Sequence, residues 1–208
     1  VLDELGTEEK RGHIEPLYAM TLKDIEENKK HYTDIGIQAI KNGKVGAVLL
    51  AGGQGSRLGF EKPKGMFNIG VNKDLYIFEC LINNLLDVVK EAEAWIPLFV
   101  MTSEQNDKDT RDFFEEHNYF GYSSDNVIFF VQEQLPTVDT NGKLMLADKG
   151  TVSTAPNGNG GWYASLVRSG VLKILKDNKI EWLNVFAVDN VLQRIADPCF
   201  IGAVIDSG

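Results

Sequence analysis

Cysteine and histidine are scarce in this sequence, and their scarcity limits the chemistry it can support. The 208 residues include two cysteines, Cys80 and Cys199, and three histidines. Neither cysteine belongs to a CxxC pair or a Cys/His cluster, which argues against a zinc motif and a disulfide framework. No Ser/His/Asp or Cys/His set for nucleophilic catalysis stands out either. We therefore expect a reduced, cytoplasmic protein.

Long apolar runs and an excess of positive charge are also absent. No stretch approaches 18 consecutive apolar residues, and the first residues lack the basic-then-apolar pattern of a signal peptide, so we expect no membrane contact. Lysine and arginine number 21 against 30 aspartates and glutamates, which gives a net charge of −9. This charge disfavours binding to nucleic acid, which needs many cations facing phosphates. A small anionic ligand needs only a local cluster of cations.

Short apolar runs alternate with helix-like segments along most of the chain. This alternation predicts an α/β fold, with a mostly parallel sheet covered by helices on both faces. Residues 1–44 are polar and helix-leaning and predict an N-terminal helical arm, with Thr21 as N-cap and Gly43 as helix stop. A small hairpin is expected around Gly142. The predicted strands are 45–51, 96–102, 126–132 and 182–190, and the predicted helices are 73–93, 106–120, 161–176 and 197–208.

The last predicted helix has no parallel strand after it. We therefore expect residues 45–208 to be the nucleotide-binding part of a longer catalytic domain, truncated at its C-terminus.

The most informative stretch is "LLAGGQGSRLGFEKPKG", residues 49–65, which follows the first predicted strand. It contains five glycines, and Arg57, Lys62 and Lys64 place three cations within eight residues. A glycine-rich turn after a strand lets backbone amides approach a phosphate. The spacing fits neither a Walker A motif nor a dinucleotide fingerprint. Arg57 and Lys64 together suit a polyphosphate; the alternative is a glycine turn with surface cations.

Two further stretches carry candidate binding residues. In "APNGNGGWY" (155–163), Asn157 and Asn159 offer amides that can donate and accept hydrogen bonds, as recognition of a pyrimidine edge requires. The alternative there is a turn followed by a helix N-cap. In "FAVDN" (186–190), Asp189 follows an apolar strand, where open α/β sheets bind ligands. A carboxylate beside a polyphosphate suits Mg²⁺, whereas the alternative is a capping aspartate.

Taken together, these stretches resemble the UDP-N-acetylhexosamine pyrophosphorylases, a branch of the UDP-sugar pyrophosphorylase family. The resemblance covers almost the whole chain and rests on "LLAGGQGSRLGFEKPKGMFNIG", "NVIFFVQEQLP", "PNGNGGWY" and "VDNVLQRIADPCFIG". It implies a GT-A-like nucleotidyltransferase fold. It also implies a uridylyltransferase reaction in which UTP and N-acetylglucosamine 1-phosphate give UDP-N-acetylglucosamine and pyrophosphate with Mg²⁺.

The resemblance also implies a role for each matching residue. Arg57 and Lys64 would hold the β- and γ-phosphates and stabilise the transition state, and Asp189 would bind the metal. Asn159 would contact the sugar. The backbone of four residues would contact the nucleotide: Leu50, Ala51, Gly52 and Gly53. Gln132 and Gly158 would contact its uracil.

Two other functions stay open from the sequence. A UDP-glucose or broad UDP-sugar pyrophosphorylase is the alternative within the same class, although the UDP-glucose branch usually carries a histidine in the stretch corresponding to 157–160, where this chain has Asn159. Trp162 departs from the smaller aliphatic residue of the N-acetylhexosamine branch. The alternative of another class is a truncated, non-catalytic nucleotide-binding domain.

Overall fold

A computed structural model describes residues 15–17 and 19–208 of the chain. Six α-helices and eight strands are defined in these residues, besides short 3-10 turns. In chain order they are α1 Leu22–Lys41, β1 Val45–Leu50, α2 Ile77–Ala92, β2 Leu98–Thr102, α3 Asp107–Glu116, β3 Val127–Val131, β4 Gln134–Pro136, β5 Leu146–Asp148, β6 Thr151–Val152, β7 Thr154–Pro156, α4 Trp162–Arg168, α5 Val171–Asp177, β8 Trp182–Ala187 and α6 Pro198–Ser207.

The central sheet has four strands in the order β3-β2-β1-β8, and every neighbouring pair is parallel. Val48 of β1 lies opposite Phe99 of β2 and Val185 of β8. All six residues of β1 are buried, because the strand lies in the middle of the sheet and both of its faces are covered. The prediction of a parallel sheet with helices on both faces is confirmed.

Two apolar layers hold the helices against the sheet. Alternate residues of β1 belong to opposite layers, as the two-residue period of a strand requires. On one face, Leu49 packs with side chains from α1, α2, α3 and α6, among them Phe78 and Phe114. On the other face, Val48 packs with Phe99, Met101 and with Leu166 of α4 and Val171 of α5. The short helices α4 and α5 therefore cover the face opposite to the four longer ones.

Helices α1 and α6 cross in close contact, and two glycines permit the approach. A Cβ atom at Gly36 would lie 1.9 Å from the carbonyl oxygen of Pro198, and one at Gly202 would lie 1.7 Å from that of Tyr32. The predicted start of α1 is confirmed, since Thr21 and Asp24 form a capping box. Gly43 follows its end with φ of 68°. The boundary of the arm at residue 44 stays a prediction, and residues 1–14 lie outside the described part.

The structure corrects several predicted boundaries. The helix predicted over 161–176 is two helices, because Gly170 has φ of 85° and separates α4 from α5. The helix predicted over 106–120 stops at Glu116, because Asn118, Tyr119 and Phe120 adopt positive φ. The helix predicted over 73–93 begins only at Ile77, because the residue before it pairs in a bridge with Asn68. The strand predicted over 182–190 ends at Ala187.

The hairpin expected around Gly142 is present. An antiparallel bridge joins Val138 to Leu144, and Gly142 turns the chain with φ of 79°. The strands β5 and β6 continue this arm, and β4 pairs antiparallel with β7 at its base.

Candidate functional site

The candidate site lies at the carboxyl edge of the central sheet. Strands β1 and β8 run side by side and end at Leu50 and Ala187. The backbone N–H of Val188 donates to the carbonyl oxygen of Leu50 at 3.2 Å, which joins the segments that follow the two strands. Asp189 therefore enters the same crevice as the glycine-rich loop after β1. In open parallel sheets this edge is where ligands bind.

The glycine-rich loop, residues 51–64, closes on itself. The carbonyl oxygen of Gly53 accepts a hydrogen bond from the N–H of Lys64 at 3.2 Å, and the N–H of Gly55 donates to Lys62 at 2.9 Å. By contrast, the N–H groups of Gly52, Gly53 and Gln54 donate to no acceptor among the described residues. Three adjacent free donors behind a buried strand are available to an anion.

The cations of the loop have different surroundings. Lys62 pairs with Asp109 of α3 at 3.0 Å, so its charge is directed away from the crevice. Lys64 pairs with Asp189 across the crevice; the lysine side chain is 21% exposed and the carboxylate 59%. Arg57 lies on an exposed turn and forms no ion pair with the described residues. Arg57 is thus the cation of the loop that is available to a ligand without breaking a contact.

Arg57, Lys64 and Asp189 line one crevice of about 390 Å³. Apolar side chains complete its wall: Leu58, Phe67, Ile69, Ile77 and Val191. Charges that face each other beside an apolar wall interact more strongly than they would in open water. The structure therefore brings together the predicted catalytic cations and the predicted metal ligand.

Gln132 follows β3 and lies directly against the glycine loop. A Cβ atom at Gly52 would lie 2.2 Å from the Nε2 atom of Gln132, so a larger residue at position 52 would require the Gln132 amide to move. Gln132 is 5% exposed, yet its side-chain amide makes no hydrogen bond with the described residues. Neither amide atom is among the buried polar atoms that lack a partner, so both keep contact with solvent and can pair with a ligand. This arrangement fits the role in uracil recognition that the resemblance implies.

The segment 157–161 is joined to Glu133, the residue after Gln132, by a backbone hydrogen bond. The N–H of Asn157 donates to the carbonyl oxygen of Glu133 at 2.9 Å, and the Oγ of Ser165 accepts from the N–H of Glu133 at 3.0 Å. Gly158 has φ of 73°, which favours glycine there. Asn159 is exposed and its side chain contacts no described partner. The structure thus joins Asn157 to the residue that follows Gln132, whereas the base contact of Gly158 and the sugar contact of Asn159 stay predictions.

Two polar residues at the site were not identified from the sequence. Asn106 is fully buried, and its Nδ2 atom donates to the carbonyl oxygen of Ala51 at 3.0 Å. Ser165 is 2% exposed and connects Glu133 to α4, because its hydroxyl also donates to the carbonyl oxygen of Gly161 at 2.9 Å. An asparagine before an acidic helix start resembles an ordinary cap, so the sequence offered no signal for the long-range contact.

The side chains at the crevice offer few ligands for a divalent cation. Within residues 15–17 and 19–208, no three His, Cys, Asp or Glu side chains are grouped as a metal site. Asp189 is thus a single carboxylate. Mg²⁺ commonly takes one or two carboxylates and completes its shell with phosphate oxygens and water. The residues present therefore fit a cation that binds together with a phosphorylated ligand.

Among the described residues, no helix combines the length and the apolar character needed to cross a bilayer.

Comparisons with known proteins agree with this geometry. The parallel α/β sheet is shared with solved pyrophosphorylase structures at TM-scores of 0.82 and 0.81, which places the chain in the nucleotidyltransferase fold class. Residues 7–208 match the family described as UTP–glucose-1-phosphate uridylyltransferase, and the chain belongs to this family. It is 39% identical over 192 residues to UDP-N-acetylglucosamine diphosphorylase 1 of Arabidopsis thaliana, covering 88% of this chain and 38% of the relative.

A yeast and an amoebal relative give the same result. UDP-N-acetylglucosamine pyrophosphorylase of Saccharomyces cerevisiae is 37% identical, with 94% of this chain and 42% of the relative covered. The crystal structure of a putative UDP-N-acetylglucosamine pyrophosphorylase from Entamoeba histolytica superposes with a TM-score of 0.82 at 36% identity, covering 90% of this chain and 48% of that one. The chain thus spans less than half the length of these relatives.

Proposed function

We propose that this chain supplies the UTP-binding part of a uridylyltransferase that makes UDP-N-acetylglucosamine and pyrophosphate from UTP and N-acetylglucosamine 1-phosphate. One observation carries the proposal: the free N–H groups of Gly52 and Gly53 lie in the loop whose cations, Arg57 and Lys64, line the crevice with Asp189. The names of the relatives, which match in sequence over most of this chain, support the choice of nucleotide and sugar.

The nucleotide is proposed to bind along the edge of the sheet. The backbone from Leu50 to Gly53 would lie along the nucleotide, with the free N–H groups as donors. Gln132 would pair with the uracil, since its side-chain amide is accessible and has no partner among the described residues, and Gly158 would contact the same base. An amide can donate to one uracil carbonyl and accept from the ring N–H, a pattern that cytosine and adenine do not present.

The reaction needs fixed positive charge more than a protein nucleophile. An oxygen of the sugar phosphate attacks the α-phosphorus, the bond from that phosphorus to the bridging oxygen breaks, and pyrophosphate leaves with the electron pair. The attacking phosphate is already ionised at neutral pH, so no general base is required. Arg57 and Lys64 would stabilise the charge that develops on the leaving oxygens. The guanidinium can bind two oxygens at once, while the ammonium acts as a point charge.

Asp189 is the proposed ligand of Mg²⁺. When bound, the cation would neutralise phosphate charge beside the carboxylate. Lys64, now paired with Asp189, could then turn its ammonium towards a phosphate. Because a single carboxylate is present, we expect the cation to bind with the nucleotide rather than before it. A cytoplasmic location is likewise a proposal.

The sugar is the less constrained half of the proposal. Asn159 is exposed at the start of the turn before α4, and its side chain is proposed to contact the sugar. A contribution from further sequence, of the kind that the longer relatives carry, is part of the proposal. A UDP-glucose pyrophosphorylase remains the alternative. Turnover of N-acetylglucosamine 1-phosphate at least about 10-fold above that of glucose 1-phosphate would favour the N-acetylglucosamine enzyme over the UDP-glucose pyrophosphorylase.

A nucleotide-binding domain without catalysis is the second candidate, because the chain spans 38% of the Arabidopsis relative. The discriminating measurement is release of pyrophosphate. If the chain binds UTP but releases no pyrophosphate with either sugar phosphate, even when joined to further sequence of the kind that the longer relatives carry, the non-catalytic function is favoured.

Calorimetric titration of Mg²⁺ and UTP tests the binding step. Arg57→Ala should weaken binding by about 10- to 100-fold, because a charge-assisted contact contributes about 1.5–3 kcal/mol. Lys41→Ala is the matched control. Lys41 ends α1, just before β1 begins, whereas the candidate site lies at the carboxyl ends of the strands. Equal loss in both variants would indicate a general charge effect, and no heat from the wild-type chain would contradict the proposed binding.

A further inference from the structure

Asn106 connects the start of α3 to the glycine loop across a buried contact. Its Nδ2 atom donates to the carbonyl oxygen of Ala51 at 3.0 Å and approaches that of Gly53 at 3.5 Å. Its Oδ1 atom accepts from the N–H of Ser103 at 2.7 Å. The residue is fully buried. The side chain therefore uses both ends of its amide, and the donor end is directed at the loop.

This side chain does not serve the helix on which it lies. Asn106 occupies the N-cap position of α3, where an asparagine normally accepts from the N–H groups of the first turn. Here no such hydrogen bond forms. The amide is used between segments that are 53 and 55 residues apart in sequence. Helix capping thus does not explain an asparagine at this position, whereas the loop contact does.

The geometry of a trans peptide gives this contact a consequence. In a planar trans peptide the C=O and the N–H point in opposite directions. The carbonyl of Ala51 shares its peptide unit with the N–H of Gly52, and the carbonyl of Gly53 shares its unit with the N–H of Gln54. Because Asn106 holds both carbonyls towards α3, both N–H groups point away from α3. These N–H groups have no acceptor among the described residues.

We propose that Asn106 is a positioning residue that aims the N–H groups of Gly52 and Gln54 at the bound nucleotide. The identity of the ligand rests on the proposed function. The orientation of the two peptide units is independent of that function. The carbonyl of Gly53 is also held by the N–H of Lys64. Asn106 and Lys64 therefore fix the same peptide unit, one from the helix side and the other from the end of the loop.

Two substitutions separate the donor from the acceptor of the side chain. Asn106→Ala removes both, whereas Asn106→Asp keeps the shape and the acceptor for Ser103 but has no N–H to donate. Tyr122→Phe is the control, because it also removes a buried side-chain hydrogen bond to a carbonyl, that of Ile96 before β2. The readouts are the dissociation constant for UTP with Mg²⁺ and the NMR order parameters of the Gly52 and Gln54 amides without nucleotide.

We expect both Asn106 variants to bind UTP about 10-fold or more weakly. Their Gly52 and Gln54 amides should fall from order parameters of about 0.85 to below about 0.6. Tyr122→Phe should lower the melting temperature and change neither readout. Unchanged order parameters in both variants would overturn the proposal, as would a loss of affinity confined to Asn106→Asp, which would indicate charge repulsion. If the wild-type chain shows rigid amides that depend on Asn106 but binds no UTP, the positioning stands and the proposed ligand is wrong.

Discussion

At the scale of single residues, the close contact between Gly52 and Gln132 determines what the site tolerates. A methyl group at position 52 would overlap the Nε2 and Cδ atoms of Gln132 at 2.2 and 2.7 Å. Both atoms belong to the far end of the Gln132 side chain, so a methyl group would be accommodated by moving the amide rather than the backbone.

Gly52→Ala should therefore displace the amide of Gln132 and weaken UTP binding by about 10-fold or more, because a mispositioned polar partner loses its hydrogen bonds. Gly160→Ala is the matched control, since a Cβ atom there would meet nothing within 4 Å. Calorimetry with UTP measures both. Equal affinities in the two variants would mean that Gln132 does not contact the base.

Gln132→Leu tests the same residue from the other side. The buried amide has no hydrogen bond to lose within the described chain, so the melting temperature should stay the same or rise. Binding of UTP should fall about 10-fold while weak binding of ATP stays unchanged, because discrimination between bases depends on the amide. A marked drop in thermal stability instead would assign Gln132 a structural function.

The sequence was sufficient to predict the charged residues that line this site, but not which side chains contact each other there. Glycine density and the two cations indicated a phosphate loop, and Asp189 after an apolar strand indicated the same edge of the sheet. The contact of Asn106 with Ala51 was not predictable, because an asparagine before an acidic helix is typical of a local cap. The pairing of Lys62 with Asp109 was hidden for the same reason, since sequence spacing carries no information on long-range pairs.

At the scale of elements, local backbone conformation explains why some predicted boundaries were wrong. The apolar run of β1 and the amphipathic spacing of α2 agree with their final structures, because burial determines both. The apolar spacing continues across residue 170, but Gly170 has φ of 85° and ends the helix there. The left-handed residues at 118–120 likewise end α3 where side-chain type alone favours continuation. Periodicity reports which face is buried but not where a backbone turns.

The crossing of α1 and α6 gives a prediction at this scale. Gly36→Ala would place a methyl group 1.9 Å from the backbone oxygen of Pro198, so the helices must separate. Overpacking of this kind costs about 1–3 kcal/mol, which in a chain of this size lowers the melting temperature by about 3–10 °C. Lys29→Ala, on the exposed side of α1, should leave it unchanged. An unchanged melting temperature for Gly36→Ala would contradict the close crossing.

At the scale of the whole molecule, nucleotide and cation should stabilise the fold together. Ligands that bind only the folded state stabilise it by about 2.7 kcal/mol at 100 times the dissociation constant. UTP with Mg²⁺ should thus raise the melting temperature by about 5–10 °C, and addition of EDTA should remove most of this gain. Mg²⁺ alone should have little effect, because the described residues offer one carboxylate at the crevice.

Asp189→Asn should abolish the dependence on Mg²⁺ while binding of UTP without the cation stays equal or becomes tighter, because Lys64 loses its partner. Asp125→Asn, before β3 at the opposite edge of the sheet, is the control and should behave as wild type. Calorimetry with and without EDTA measures both. Retained dependence on Mg²⁺ in Asp189→Asn would remove Asp189 from the metal site.

The crossing of α1 with α6 also has a consequence for synthesis of the chain. Gly36 contacts Pro198, so the first described helix gains its partner only after translation has added about 160 more residues. At about 5–20 residues per second, the ribosome needs roughly 10–30 s for this stretch. During that interval the apolar stripe of α1 lacks the helix that covers it. Contacts of such high contact order form late, so the nascent chain is most exposed to chaperones and to aggregation before α6 leaves the exit tunnel.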